Sequence, residues 1–104
     1  TKIDSEEMIF LIGQLYYKIG RIKKILDDKE KNKAKVIESL KPKVFWKDKD
    51  KLLKQSQIWN IKKVNKATQE VEKTELQVKS SSQLSKNVMA KQLLTNLFRI
   101  STSS

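Results

Sequence analysis

An all-α fold, a compact bundle of about five helices, follows from three observations. Only two glycines and one proline interrupt 104 residues. Apolar residues recur at spacings of three and four along most of the chain, the period of helices that each bury one face. Strand patterning has little support, and the apolar stripe is broken within about two heptads, which separates a globular bundle from a coiled coil. No internal repeat is visible. One domain is expected, large enough for a modest core. Because the chain opens at Thr1 and runs directly into an acidic helix start, it is expected to be the C-terminal fragment of a longer protein.

The first helix is expected over residues 5–26. Asp4 is its N-cap, Glu6 and Glu7 suit the positive end of the helix dipole, and Lys18, Arg21, Lys23 and Lys24 suit the other. Met8, Ile12, Leu15, Ile19, Ile22 and Leu26 form its apolar stripe, broadened by Ile9 and Tyr16. Tyr16 and Tyr17 adjoin, so one faces inward and the other outward; with Tyr17 outward, it is the interface candidate. Gly13 and Gly20 lie inside this helix and read as points of close helix packing or curvature. The charged run 27–35 is a connector into a short helix, 33–40, carrying Val36, Ile37 and Leu40. Pro42 stops that helix, since its ring fixes φ and removes a donor.

A third helix, 48–58, places Leu52, Ser56 and Trp59 on one side. Asn60 caps a fourth, 61–79, which turns Ile61, Val64, Ala67, Val71 and Val78 inward and pairs Glu75 with Lys79. Ser80, Ser81 and Ser82 break it and offer caps to a last helix, 83–100, with Leu84, Val88, Leu93, Leu97 and Ile100 apolar. The end at 101–104 is expected to fray.

Composition narrows function. The chain has no cysteine and no histidine, which removes the usual zinc and iron ligands and the commonest general base near neutral pH. No Gly-rich phosphate loop is present. The carboxylate pairs Asp27/Asp28 and Asp48/Asp50 sit among lysines and read as solvated helix ends. A non-catalytic domain without metal or cofactor is therefore expected. No stretch has the roughly 18 apolar residues of a membrane span, and no signal-peptide layout opens the chain; no membrane partner is expected, and the cytoplasm is the expected location.

The net charge of +11 points to a polyanion or to nothing specific. Of 23 basic residues 21 are lysine, and base composition alone can generate such an excess. Arginine, suited to bidentate phosphate contacts, occurs only at Arg21 and Arg99. A solvated lysine surface is the better reading. Phe45, Trp46 and Trp59 offer stacking surfaces for bases or core anchors; in a small domain with few other large side chains, core anchors linking the second, third and fourth helices are expected.

The stretch Lys41-Pro42-Lys43-Val44-Phe45-Trp46-Lys47, followed by Gln55 and then Trp59, resembles the linker and third-domain signature of the delta subunit of bacterial DNA polymerase III, the non-catalytic arm of the clamp loader. There a proline connector runs into an apolar-aromatic-aromatic-Lys step and then a helix with Gln four residues before Trp. The likeness continues through the Asn60-capped helix to Glu75-Leu76-Gln77-Val78-Lys79, similar to the family's Glu-Leu-x-x-Lys ending. It spans most of residues 40–100. Lys43 stands where the family often has a second proline, and Gln57 lies near a position where it often has arginine.

The resemblance implies a helical collar domain that joins delta to delta prime and gamma/tau type subunits in a machine that loads the sliding clamp onto primed DNA. Pro42, Phe45, Trp46, Gln55, Trp59 and Leu76 would be signature and core positions. In that family the clamp-opening element lies in the N-terminal domain and the motor subunits hydrolyse ATP. From its own residues the hydroxyl-rich 80–83 loop reads first as a solvated turn that caps a helix; if primer-template DNA touches this domain in the assembled complex, Lys79, Ser81, Ser82 and Lys86 are the expected contacts. The rival classes are a free-standing basic helical module that binds nucleic acid non-specifically and an unrelated adaptor bundle. Lysines gathered on one face would favour the nucleic-acid module.

Overall fold

The computed structural model describes residues 3–80 and 85–103. Among the described residues the chain forms five α-helices and no strand: α1 Ser5–Asp27, α2 Lys33–Ser39, α3 Lys49–Ile58, α4 Ile61–Lys79 and α5 Lys86–Thr102, with a 3-10 turn, Trp46–Asp48, leading into α3.

The caps explain the boundaries. Asp4 Oδ1 accepts from Glu7 N at 2.8 Å, and Asn60 Oδ1 accepts from Lys63 N at 2.8 Å, each satisfying one of the free amides at a helix start. Asn32 opens α2 in the same way. The last helix departs from expectation: its cap is Ser85, whose Oγ accepts from Val88 N at 3.2 Å. It therefore begins at Lys86, three residues later than residue 83. Leu84, Ser81 and Ser82 lie outside the described residues. On α5 Leu93 is buried and Leu97 packs against the core as expected, but Met89 and Ala90 take inward places while Val88 is exposed.

Helix α4 packs between α1 and α5, while α2 and α3 pair with each other and lean on α1. The core joins Met8, Ile12, Ile19, Ile22 and Ile25 of α1 to Val64, Ala67 and Val71 of α4 and to Met89, Ala90 and Leu93 of α5. Val36, Ile37, Leu40, Val44 and Leu52 extend it beneath α2 and α3. Within α1, Ile25 is fully buried and Leu26 only packs against the core's edge.

Lysines contribute to the frame as well as the surface. Lys33 Nζ donates to the carbonyls of Ile25, Asp28 and Glu30 at 3.0, 3.1 and 3.1 Å, pinning the connector between α1 and α2. Lys63 Nζ donates to Ile58 O at 3.2 Å and to Ser101 O at 2.9 Å, tying the start of α4 to the end of α5. Asn87 Oδ1 accepts from Ile3 N at 2.7 Å, and Asn96 Nδ2 donates to Glu70 Oε2 at 3.2 Å.

Candidate assembly surface

The signature segment forms one continuous piece of structure. The Lys41–Pro42 peptide bond is cis, and the connector after it buries Val44. The next two residues turn the other way. Phe45 is 57% and Trp46 69% exposed, which overturns the expectation that both anchor the core. Their place is limited by the backbone: Phe45 O accepts from Asp48 N at 2.8 Å to close the 3-10 turn. Val44, Leu40, Val36, Ile37 and Leu52 already fill the interior there. The two rings rest against each other with centroids 5.9 Å apart, tilted by 44°, and Lys47 Nζ lies 5.4 Å from the Trp46 ring centroid.

Trp59 packs half-buried against the core, as the C-cap of α3. Its N–H donates to Gln55 O at 2.9 Å, so the Gln-to-Trp spacing of four is the spacing of one helical hydrogen bond. The Gln55 side chain is exposed, beside Lys18, Arg21, Asp48 and Lys51 in a cleft between α1 and α3.

Leu76 is also on the outside, at 69% exposure, against its expected core role. The inward line of α4 runs Val64, Ala67, Val71, Thr74, and two residues beyond Thr74 is a rotation of about 200° at 3.6 residues per turn. Thr74 takes the buried position because its Oγ1 donates to Glu70 O at 3.0 Å, which removes the penalty of an unpaired hydroxyl. Ile61 and Ile9 face outward too.

Tyr17 is exposed and Tyr16 partly buried, as their adjacency requires. Beside Tyr17 stand Ile9 and Phe10, both exposed; the sequence reading missed Phe10 altogether. The signal was present, since Phe10 and Tyr17 are seven apart on the face opposite Ile12 and Ile19. A third exposed pair, Leu94 and Phe98, lies one turn apart on α5. Among the described residues Gly13 and Gly20 do not make room for a neighbouring helix: a Cβ at either would meet nothing within 4 Å, and neither has positive φ.

Tyr16 Oη donates to Glu75 Oε1 at 3.3 Å. Burial first, then the charge and hydrogen bond of Glu75 and the charge of Glu72, raise its phenol above the ordinary value of 10.0. The phenol is neutral in both states below pH 10. As pH rises past that value the unfolded chain loses its proton first, so stability present below pH 10 is lost as pH rises through the folded value. Tyr16→Phe is expected to remove this dependence: urea unfolding of both proteins at about pH 8 and about pH 11 should show the wild-type advantage shrinking. An equal gap at both would mean that burial and the neighbouring carboxylates do not raise the Tyr16 phenol above its ordinary value.

Of the four loop residues read as DNA contacts, Lys79 extends from the end of α4, 3.9 Å from Glu75 Oε2, and Lys86 is the first residue of α5. Ser81 and Ser82 are outside the described residues. Exposed lysines occur on all five helices, among them Lys24, Lys35, Lys54, Lys66 and Lys91. Among the described residues no three potential metal-ligating side chains gather, and no helix is long and apolar enough to cross a membrane. Compared with protein-family models, curated proteins and solved structures, the chain matches none.

Proposed function

We propose that this chain is the collar domain of a clamp-loader delta subunit, a non-catalytic module that holds the subunit in register with its delta prime and gamma/tau type neighbours. The observation that carries this reading is the ordered signature from Pro42 to Lys79. It occupies a connector, a turn, a capped helix and the following long helix, and its large apolar members Phe45, Trp46 and Leu76 are exposed. Side chains of that size left outside a small core favour an interface, where aromatic residues act as anchors. Separate apolar strips on α1 and α5 suit a member of a ring that touches more than one neighbour. Lysines spread over every helix argue against a single nucleic-acid-binding face and so against the free-standing basic module.

The test is reconstitution. Mixed with delta prime and gamma/tau type subunits, the chain should enter a complex of defined stoichiometry by analytical ultracentrifugation; a chain that sediments alone at every ratio would defeat the reading.

In the assembled loader, primer-template DNA is proposed to pass near the loop between α4 and α5, where the start of α5 and Lys79 and Lys86 present positive charge to phosphates. Lys79→Ala combined with Lys86→Ala should lower the salt slope of DNA binding by about one per lost contact. An unchanged slope in a normally assembled complex would leave this loop a simple turn.

A further inference from the structure

The outer face of α1 carries an exposed strip that no other described residue covers. Ile9, Phe10, Gly13, Gln14, Tyr17 and Lys18 line an open depression of about 720 Å³. A second depression, meeting the first at Tyr17, is lined by Gly20, Arg21, Lys24 and Lys41 among others. One glycine of α1 lines each. Glycine is the weakest helix former after proline, and neither of these two makes room for another part of this chain, since an added Cβ would have no neighbour within 4 Å. The two glycines are seven residues apart, two helical turns or about 10.5 Å along the axis. That distance also separates side chains i and i+7 on a facing helix.

The two depressions differ in character. Around Gly13 the walls are Ile9, Phe10 and Tyr17, with Ile9 62% and Phe10 66% exposed. Around Gly20 three cations, Arg21, Lys24 and Lys41, join Tyr16, Tyr17 and Leu40, and Arg21 is held in place there: its Nη2 donates to Tyr17 Oη at 3.1 Å, and its guanidinium carbon lies 5.0 Å from the Tyr17 ring centroid. A second copy of this chain is a poor occupant, because each copy carries a net charge of +11. A nucleic-acid backbone suits the second depression but would leave Ile9 and Phe10 of the first uncovered.

We propose that this strip receives an amphipathic, acidic helix of a neighbouring protein subunit, with a large apolar side chain over Gly13 and a carboxylate seven residues away against Arg21 and Lys24 near Gly20. This names the partner surface for the assembly role above and rests on it. Helix-in-groove recognition supplies the apolar anchor, and the cationic half sets direction and excludes basic partners.

The test uses the intact chain and the delta prime and gamma/tau type subunits. Gly13→Leu with Gly20→Leu fills both depressions with better helix formers in open space, so the thermal midpoint should hold or rise. Arg21→Glu with Lys24→Glu leaves the depressions open and reverses the charge. Each folded double variant is expected to lose at least tenfold in affinity for the complex, while Gln69→Leu on exposed α4 surface loses none. If wild type assembles and either folded variant assembles equally well, the strip is not the docking surface and the collar reading stands. Should wild type join none of these subunits, both fall. Self-association of wild type that Gly13→Leu with Gly20→Leu abolishes would assign the strip to a second copy and overturn the proposal.

Discussion

Leu93→Ala is expected to destabilise the domain by about 2–5 kcal/mol, the range for emptying a fully packed leucine site. Leu93 is 1% exposed and lies on α5, in the same core as Val71 of α4 and Met8 of α1, both at 0%. Removing it leaves a void that three helices would have to collapse together to fill. Domains of this size have roughly 5–15 kcal/mol in total, so one substitution would remove a large share. Urea unfolding followed by far-UV circular dichroism reads the change directly. A loss below about 1 kcal/mol would mean that the site relaxes freely or that α5 is loosely docked, against the burial described here.

The second large effect is on assembly and leaves folding nearly untouched. Phe45→Ala with Trp46→Ala is expected to change unfolding free energy by less than about 0.5 kcal/mol each, as for exposed positions away from caps and core. If the collar reading holds, the same pair should weaken incorporation into the clamp-loader complex at least tenfold, about 1.4 kcal/mol, because large aromatics are typical binding anchors. Trp59→Ala is the contrasting variant. Half-buried against the core and closing α3, it should cost about 2 kcal/mol, less than the 3–5 of a fully buried ring. A double variant that unfolds as easily as Trp59→Ala would return Phe45 and Trp46 to the core; one that assembles normally would remove them from the interface.

Several features of the fold were legible in the chain because they depend on neighbours a few residues apart. Asp4 and Asn60 cap their helices as polar side chains at helix starts do, and α4 has the bounds its pattern predicts. Tyr16 and Tyr17 must diverge because consecutive residues on a helix are about 100° apart. The Gln55-to-Trp59 spacing is likewise a local hydrogen bond. For α5 the serines at 80–82 and Ser85 offer the same hydroxyl in the sequence, and the cap the structure shows is Ser85.

The all-helical class, the order of five helices, the caps Asp4 and Asn60 and the charge can be read along the chain, since periodicity, capping chemistry and composition are local properties. Which apolar residues form the core depends on how the helices pack together. Val44 rather than Phe45 or Trp46, Thr74 rather than Leu76, and Met89 rather than Val88 occupy the interior, because the space between helices is finite and is filled by side chains whose Cα–Cβ vectors point into it. Hydrophobicity ranks what a residue would gain from burial, but rotation about the helix axis and the room left by neighbours decide who is buried. The aromatic side chains left outside, and the two glycines that leave depressions open on α1, are consequences of that geometry.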